Sequence, residues 1–326
     1  MRVEIWADVV CPWAYIGKRR LEKALAGWEG EPVEVVWRPY RIDPTAPAPG
    51  EPLADVLRDP QVDEALRACN PDLTPADNRT LVERIAAAEG LGPPWGAAWR
   101  ASTHDAHRLI ALAYERGGAA LQDAVAEGVL RAHFVEALDL SRPEVLGRVA
   151  AGAGFAEGAD LLATGAGDEH VRESLLVGKA MGVRTSPTLV VAGRALAGAQ
   201  PPEVIREFLE EAGATAVRRL PAEVERLRHV ESLLDQRDPL GALTLLRPLL
   251  GEHGDDRGVR MLAARAYYAS AQLGRAAATL ERLVAESPDD SYARHLLGRT
   301  LQRQGRHEEA VPHLAMASAM TPSYAT

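Results

Sequence analysis

The chain has 326 residues, of which 47% are hydrophobic and 25% charged, a balance that supports two packed cores and excludes an intrinsically disordered polymer. A formal net charge of -9 at pH 7 leaves no general basic face for a phosphate backbone, so nucleic acid is not an expected partner. No run reaches the roughly 18 apolar residues of a spanning helix, and Met1-Arg2-Val3-Glu4-Ile5-Trp6 reads as a strand and not a secretory leader. The expectation is a soluble, cytoplasmic protein with no membrane contact.

Val3 to Trp6 carries β-formers, and Tyr15 to Trp28 places Ile16, Leu21, Leu25 and Trp28 at helical spacing after a turn containing Pro12. Val33 to Trp37 reads as a second strand, which the crossover rule pairs in parallel with the first. Proline and glycine dominate Thr45 to Gly50, and from about residue 50 to 180 helical patterns follow one another with no convincing strand. The predicted helices there are Asp77 to Glu89, Trp95 to Arg116, Ala119 to Ala137, Pro143 to Ala153 and His170 to Met181. Strand character returns at Thr188 to Val191, turns at Ala192-Gly193-Arg194 and continues through Ala195 to Ala197, before a helix opening at Pro201-Pro202. The order βαβ, helices, ββα is that of a thioredoxin fold whose middle is interrupted by helices. A linker is expected near Gly213 to Pro221, dividing a first domain at 1–215 from a helical one at 220–326.

The second region repeats. Pro288 and Pro322 are 34 residues apart, and the same offset relates Ala264 to Gly298, Ala271 to Gly305, Ala276 to Ala310 and Leu280 to Leu314. This is the tetratricopeptide period, in which small residues let two antiparallel helices approach and a proline ends the second of each pair. Val230, Ala242 and Leu246 mark a degenerate earlier unit, giving a short all-α array.

Two cysteines, Cys11 and Cys69, are too few for a disulfide framework, so Cys11 is expected to work chemically. Cys11-Pro12-Trp13-Ala14 sits where the first strand feeds the first helix, a place where unpaired N–H groups and the helix dipole favour a thiolate and lower its pKa. Cys69 reads as structural or incidental. His104 and His107 are three apart and share a helix face, but two histidines without a third ligand do not make a metal site, so no metal is expected.

The run Val3 to Arg20, with Asp105-Ala106-His107-Arg108 and Gly198-Ala199-Gln200-Pro201-Pro202-Glu203, resembles the FrnE-like branch of the DsbA family. The resemblance covers residues 1 to about 212. It implies an α/β thioredoxin-like fold with an inserted helical domain, a cis-proline at Ser186-Pro187 facing the cysteine, and a backbone around Ser186 that pairs with an extended thiol substrate. It also implies a position for His107, and with it His104, near the cleft between the helical and thioredoxin parts, as an acid or base or as a tie between them. A hydrogen-bonded structural histidine is the alternative.

The chain departs from the family at Ala14, where the motif reads Cys-Pro-Trp-Cys. It departs also at Ser102 and His104, where asparagine and phenylalanine are common. Without a second thiol the protein does not resolve its own mixed disulfide. Ala14 therefore marks either a natural monothiol site or an engineered replacement. The first expectation is a thiol-disulfide oxidoreductase with no tightly bound cofactor, in which glutathione or mycothiol is co-substrate to a protein or small-molecule thiol or disulfide. The second is an isomerase or transferase of the 2-hydroxychromene-2-carboxylate isomerase or kappa-class glutathione transferase type. The third is a non-catalytic adaptor whose repeats bind a protein partner or a second copy.

Overall fold

The computed structural model describes residues 1–62, 64, 72–214 and 220–324. The Cys69 reading falls outside them. The chain forms two compact bodies, Met1–Gly178 with Val183–Val217, and Lys179–Gly182 with Arg218–Thr326.

The first body opens with β1 (Arg2–Ala7), α1 (Pro12–Leu25) and β2 (Glu34–Pro39). The strands pair in parallel, Arg2 opposite Glu34 and Ala7 opposite Pro39, as the crossover rule requires. Helix α1 starts on Pro12, whose missing N–H costs nothing in a first turn, and buries Ala14, Tyr15, Ile16, Leu21 and Ala24. A side chain at Gly17 would place its Cβ 3.0 Å from Pro187 Cγ. The absence of one lets α1 lie directly against the loop that carries Pro187.

Next come β3 (Glu51–Pro52), α2 (Leu53–Val56), α3 (Pro75–Ala88), β4 (Trp99–Arg100) and α4 (His104–Phe134). Two expectations are corrected here. The interval read as free of strands contains an antiparallel pair, β3 with β4, Glu51 facing Arg100. The helix predicted from Trp95 begins only at His104, because Gly96 takes a non-helical φ of 139° and Arg100 is held in the strand pair by Asp43 and Glu51, each at 2.6 Å. The helices expected on either side of residue 118 are joined in α4, with Gly118 at φ 67° marking the break. Helices α5 (Pro143–Gly152), α6 (Gly158–Ala163) and α7 (Asp168–Ala180) complete the insertion.

The chain then returns to the sheet as β5 (Thr188–Val191), β6 (Arg194–Ala197) and α8 (Pro202–Gly213). Strand β5 runs antiparallel to β1 and β6 antiparallel to β5, giving the order β2-β1-β5-β6. Ala192 and Gly193, both with positive φ, make the tight hairpin turn whose twist suits the strands. Val3, Ile5, Ala7, Leu189 and Val191 join Ile16, Leu109, Leu130 and Leu209 in one core. This sheet, interrupted by helices between β2 and β5, is the thioredoxin-like arrangement expected from the sequence.

The second body contains α9 (Ala222–Asp235), α10 (Pro239–Glu252), α11 (Arg257–Ala269), α12 (Leu273–Glu286), α13 (Ser291–Arg303) and α14 (His307–Met320). Of the residues in 34-residue register, Val230, Ala242, Leu246, Ala264, Ala276, Leu280, Gly298 and Ala310 are buried and Leu314 is half-buried, whereas Ala271 and Gly305 are exposed at positive φ in the turns between helices. A Cβ on Gly298 would sit 2.6 Å from Leu314 Cγ, so glycine permits the α13–α14 approach. Asp256 and Asp290 cap α11 and α13, each accepting a backbone N–H at 2.9 Å. Among the described residues no helix is long and apolar enough to cross a membrane.

Candidate functional site

Cys11 is the N-cap residue of α1, in extended backbone, where β1 delivers the chain to the first helical turn. Its Sγ lies 3.2 Å from the Ser186 carbonyl oxygen, to which the thiol donates, and the Ser186-Pro187 peptide is cis. The structure thus brings together Cys11, Pro12, Trp13 and Ala14 with Ser186 and Pro187, from opposite ends of the first body's sequence. Ala14 is fully buried beneath Cys11 in the first turn, and Cys11 itself is 4% exposed.

Asp8, which sequence reasoning passed over, organises this corner. Its carbonyl accepts from the Cys11 amide at 3.0 Å, its own amide donates to Ser186 Oγ at 2.9 Å, and its Oδ2 accepts from the Ile42 amide at 2.7 Å. The other carboxylate oxygen, Oδ1, lies 3.4 Å from His107 Nε2, and both residues are buried. Neither of these two atoms has a hydrogen-bond partner. One residue therefore ties the cysteine turn to the cis-proline loop and places a carboxyl group in the interior beside both. The available signal was the position of an acidic residue directly after an apolar strand and three before the cysteine.

The thiol's acidity is opposite to the expectation. Burial pushes the Cys11 pKa above its ordinary value and the Asp8 charge pushes the same way, while hydrogen bonds from Ser186 and the amides of Trp13 and Ala14 only oppose them. The helix N-terminus is present, but desolvation of the thiolate outweighs it. Asp8→Asn keeps the shape and removes the charge, so it is expected to shift the pH profile of Cys11 alkylation slightly to lower pH and to raise the rate at pH 7 modestly, burial being the larger cause. Alkylation followed by intact mass checks this, and an unmoved profile would refute the role given to the Asp8 charge.

The two histidines differ in their contacts. His107 faces Asp8 and also borders a cavity of ≈ 200 Å³ with Trp37, Ile110, Tyr114 and His170. His104 Nε2 instead pairs with Asp168 Oδ1 at 2.7 Å, linking the first turns of α4 and α7 and holding the Asp168 pKa below its ordinary value. A third histidine, His133, not singled out from the sequence, is buried with its pKa lowered to about 4 by desolvation, against the raising charges of Asp8 and Asp139. Tyr40 is a further neighbour: burial raises its pKa, and the charges of Asp8 and Cys11 add to that. Among the described residues no group of three or more His, Cys, Asp or Glu is placed to hold a metal.

Both parts of the chain resemble known proteins. A model of the DSBA-like thioredoxin domain matches residues 2–210, and tetratricopeptide repeat models match residues 233–300 and 272–325. A probable DsbA oxidoreductase from Streptomyces coelicolor, known from its crystal structure, is 32% identical, with a TM-score of 0.57, over 68% of this chain and 94% of its own. A structure of 2-hydroxychromene-2-carboxylate isomerase is 15% identical, with a TM-score of 0.49, over 66% of this chain and 100% of its own. The uncharacterized protein YwbO from Bacillus subtilis is 32% identical over 60 residues, and that match spans only 26% of YwbO and 18% of this chain. From residue 2 to 210 the chain belongs to the family of DSBA-like thioredoxin domains, and tetratricopeptide repeats follow.

Proposed function

We propose that the chain is a thiol-dependent oxidoreductase that works through one sulfur, Cys11, and takes the thiol that completes its cycle from solution, glutathione or mycothiol being of the right class. The observation that supports this reading best is Cys11 Sγ at 3.2 Å from the carbonyl before cis-Pro187, with alanine at position 14. A disulfide substrate lying extended along the Ser186 backbone presents its sulfur to Cys11. The Cys11 thiolate, formed by loss of its proton to water, attacks that sulfur; a bond forms between the two, the substrate disulfide breaks, and its other half leaves as thiolate. An external thiol then attacks the mixed disulfide, so that Cys11 leaves reduced and the substrate sulfur carries the external thiol. No electrons are gained or lost by the protein over the cycle.

The test is incubation with glutathione disulfide, and separately with mycothiol disulfide, followed by intact mass and peptide mapping. One adduct on Cys11, removed by the matching reduced thiol, is the expected result. No adduct on Cys11 of the folded protein at any pH in an alkaline series would overturn the reading. The alanine at position 14 also favours a second reading, a glutathione-dependent isomerase or transferase in which Cys11 activates a bound substrate with no disulfide formed. Turnover of an aromatic pyruvate adduct with no mixed disulfide on Cys11 would select it. For the repeats we infer a protein-binding role, and for the whole chain a cytoplasmic setting, where external thiols are abundant.

A further inference from the structure

The cavity of ≈ 200 Å³ that His107 borders lies within the first body, between the C-terminal half of β2 and α4. Its walls are apolar, built by Trp37, Pro39, Ile110 and Ala111, and the exposed side chains of Glu115 and His170 form its solvent side. Protein interiors pack to the density of organic crystals, so an opening of this size with an aromatic wall is more than a packing defect. An apolar cavity of about 150 Å³ already accommodates benzene. This one therefore has room for a single aromatic ring with a small substituent.

The polar groups inside it are committed to other partners, with one exception. Gln122 is buried and holds the edge of β2, accepting from the Trp37 amide at 2.8 Å and donating to the Trp37 carbonyl at 3.1 Å. The Tyr114 hydroxyl donates to Glu34 at 2.8 Å and accepts from Arg2 at 2.6 Å. Arg38 donates twice to Glu4, at 2.9 and 2.7 Å. The exception is His107, whose side chain is 3% exposed and whose Nε2 has no hydrogen-bond partner. The Asp8 carboxylate, 3.4 Å from Nε2, draws the ring proton to that nitrogen and leaves Nδ1 as an acceptor. The ligand that suits this lining brings an apolar ring and one hydrogen-bond donor. An anion does not suit it, since Arg38 is taken by Glu4 and His170 lies 4.0 Å from Glu115.

We propose that this cavity binds a small neutral phenol, with the ring against Trp37 and Ile110 and the hydroxyl donating to His107. Binding here does not depend on the thiol chemistry, because Cys11 is not among the residues that line the cavity.

The experiment is a fluorine NMR titration of the full chain with 4-fluorophenol, with 4-fluorotoluene, which has the same shape but no hydroxyl, and with 4-fluorobenzoate, which is charged. The phenol is expected to bind with a Kd of ~1 mM or tighter and the other two at least ~10-fold more weakly, one leaving the buried acceptor unpaired and the other burying a charge. Ala111→Leu, which fills the cavity, is expected to raise the Kd for 4-fluorophenol ~10-fold or more, whereas Cys11→Ser leaves it unchanged. Should Ala111→Leu not fold, the backbone amide shifts that 4-fluorophenol causes in the wild type take its place and must centre on Trp37 and Ile110. Equal binding of the three compounds, tighter binding of 4-fluorobenzoate, or no binding of 4-fluorophenol at ~10 mM would overturn the proposal. So would undiminished binding in folded Ala111→Leu, amide shifts centred elsewhere, or loss of binding in Cys11→Ser, which would move the ligand to the thiol site.

Discussion

Cys11→Ser is expected to reduce disulfide exchange to the uncatalysed background, while Cys69→Ser retains more than half of the wild-type rate. Serine preserves the N-cap geometry and can donate to the Ser186 carbonyl, but an alcohol neither ionises in this pH range nor forms a disulfide, so the loss reports chemistry and not folding. The assay is transfer of a glutathionyl group from a mixed-disulfide peptide, with thermal unfolding measured alongside. Equal losses in the two variants would remove Cys11 from its role as sole nucleophile and make Cys69 a partner in the reaction.

Ala14→Cys is expected to change the kind of reaction and not only its rate. Positions 11 and 14 share the first turn of α1, where residues three apart lie about 5–6 Å from each other, within reach of a disulfide after small adjustments. A thiol there would attack the mixed disulfide at the effective concentration of an intramolecular group. Insulin reduction should then appear, with release of substrate in a single turnover independent of added thiol, and with repeated turnover only when dithiothreitol re-reduces the Cys11 and position 14 disulfide. Because Ala14 is fully buried, the extra sulfur costs about 1–3 kcal/mol of stability if its surroundings do not relax. A folded variant with no disulfide between the two positions, and no reductase activity, would refute a thioredoxin-type site.

Much of this was legible in the sequence, for identifiable reasons. β1, β2 and β5 were readable because short runs of β-branched residues between turn signals have few other uses. The repeats were readable because buried small residues recur at a fixed interval. The strand pair β3–β4 was not, since two residues per strand carry no periodicity and the pairing is fixed by Arg100 reaching Asp43 and Glu51. The start of α4 was misplaced because Trp95 and Trp99 mimic helical spacing across Gly96, whose φ of 139° is not helical. Cys11 and Ser186-Pro187 were found from motif and placement. Asp8, His133 and the raised pKa of Cys11 were not, because each depends on burial created by residues far away in sequence. The dipole argument for a lowered pKa considered the helix terminus alone and left out the solvent that folding removes.

That burial bears on durability. Peroxides oxidise cysteine through its thiolate, and the ladder from sulfenic to sulfonic acid is climbed where the sulfur is both ionised and accessible. Cys11, 4% exposed and held in its protonated form at neutral pH by desolvation and Asp8, meets neither condition at rest. With no neighbour at position 14 to trap a sulfenic acid as a disulfide, an open thiolate here would have no protection from further oxidation. A sulfur kept covered until a partner displaces the cover exchanges speed for survival under oxidant.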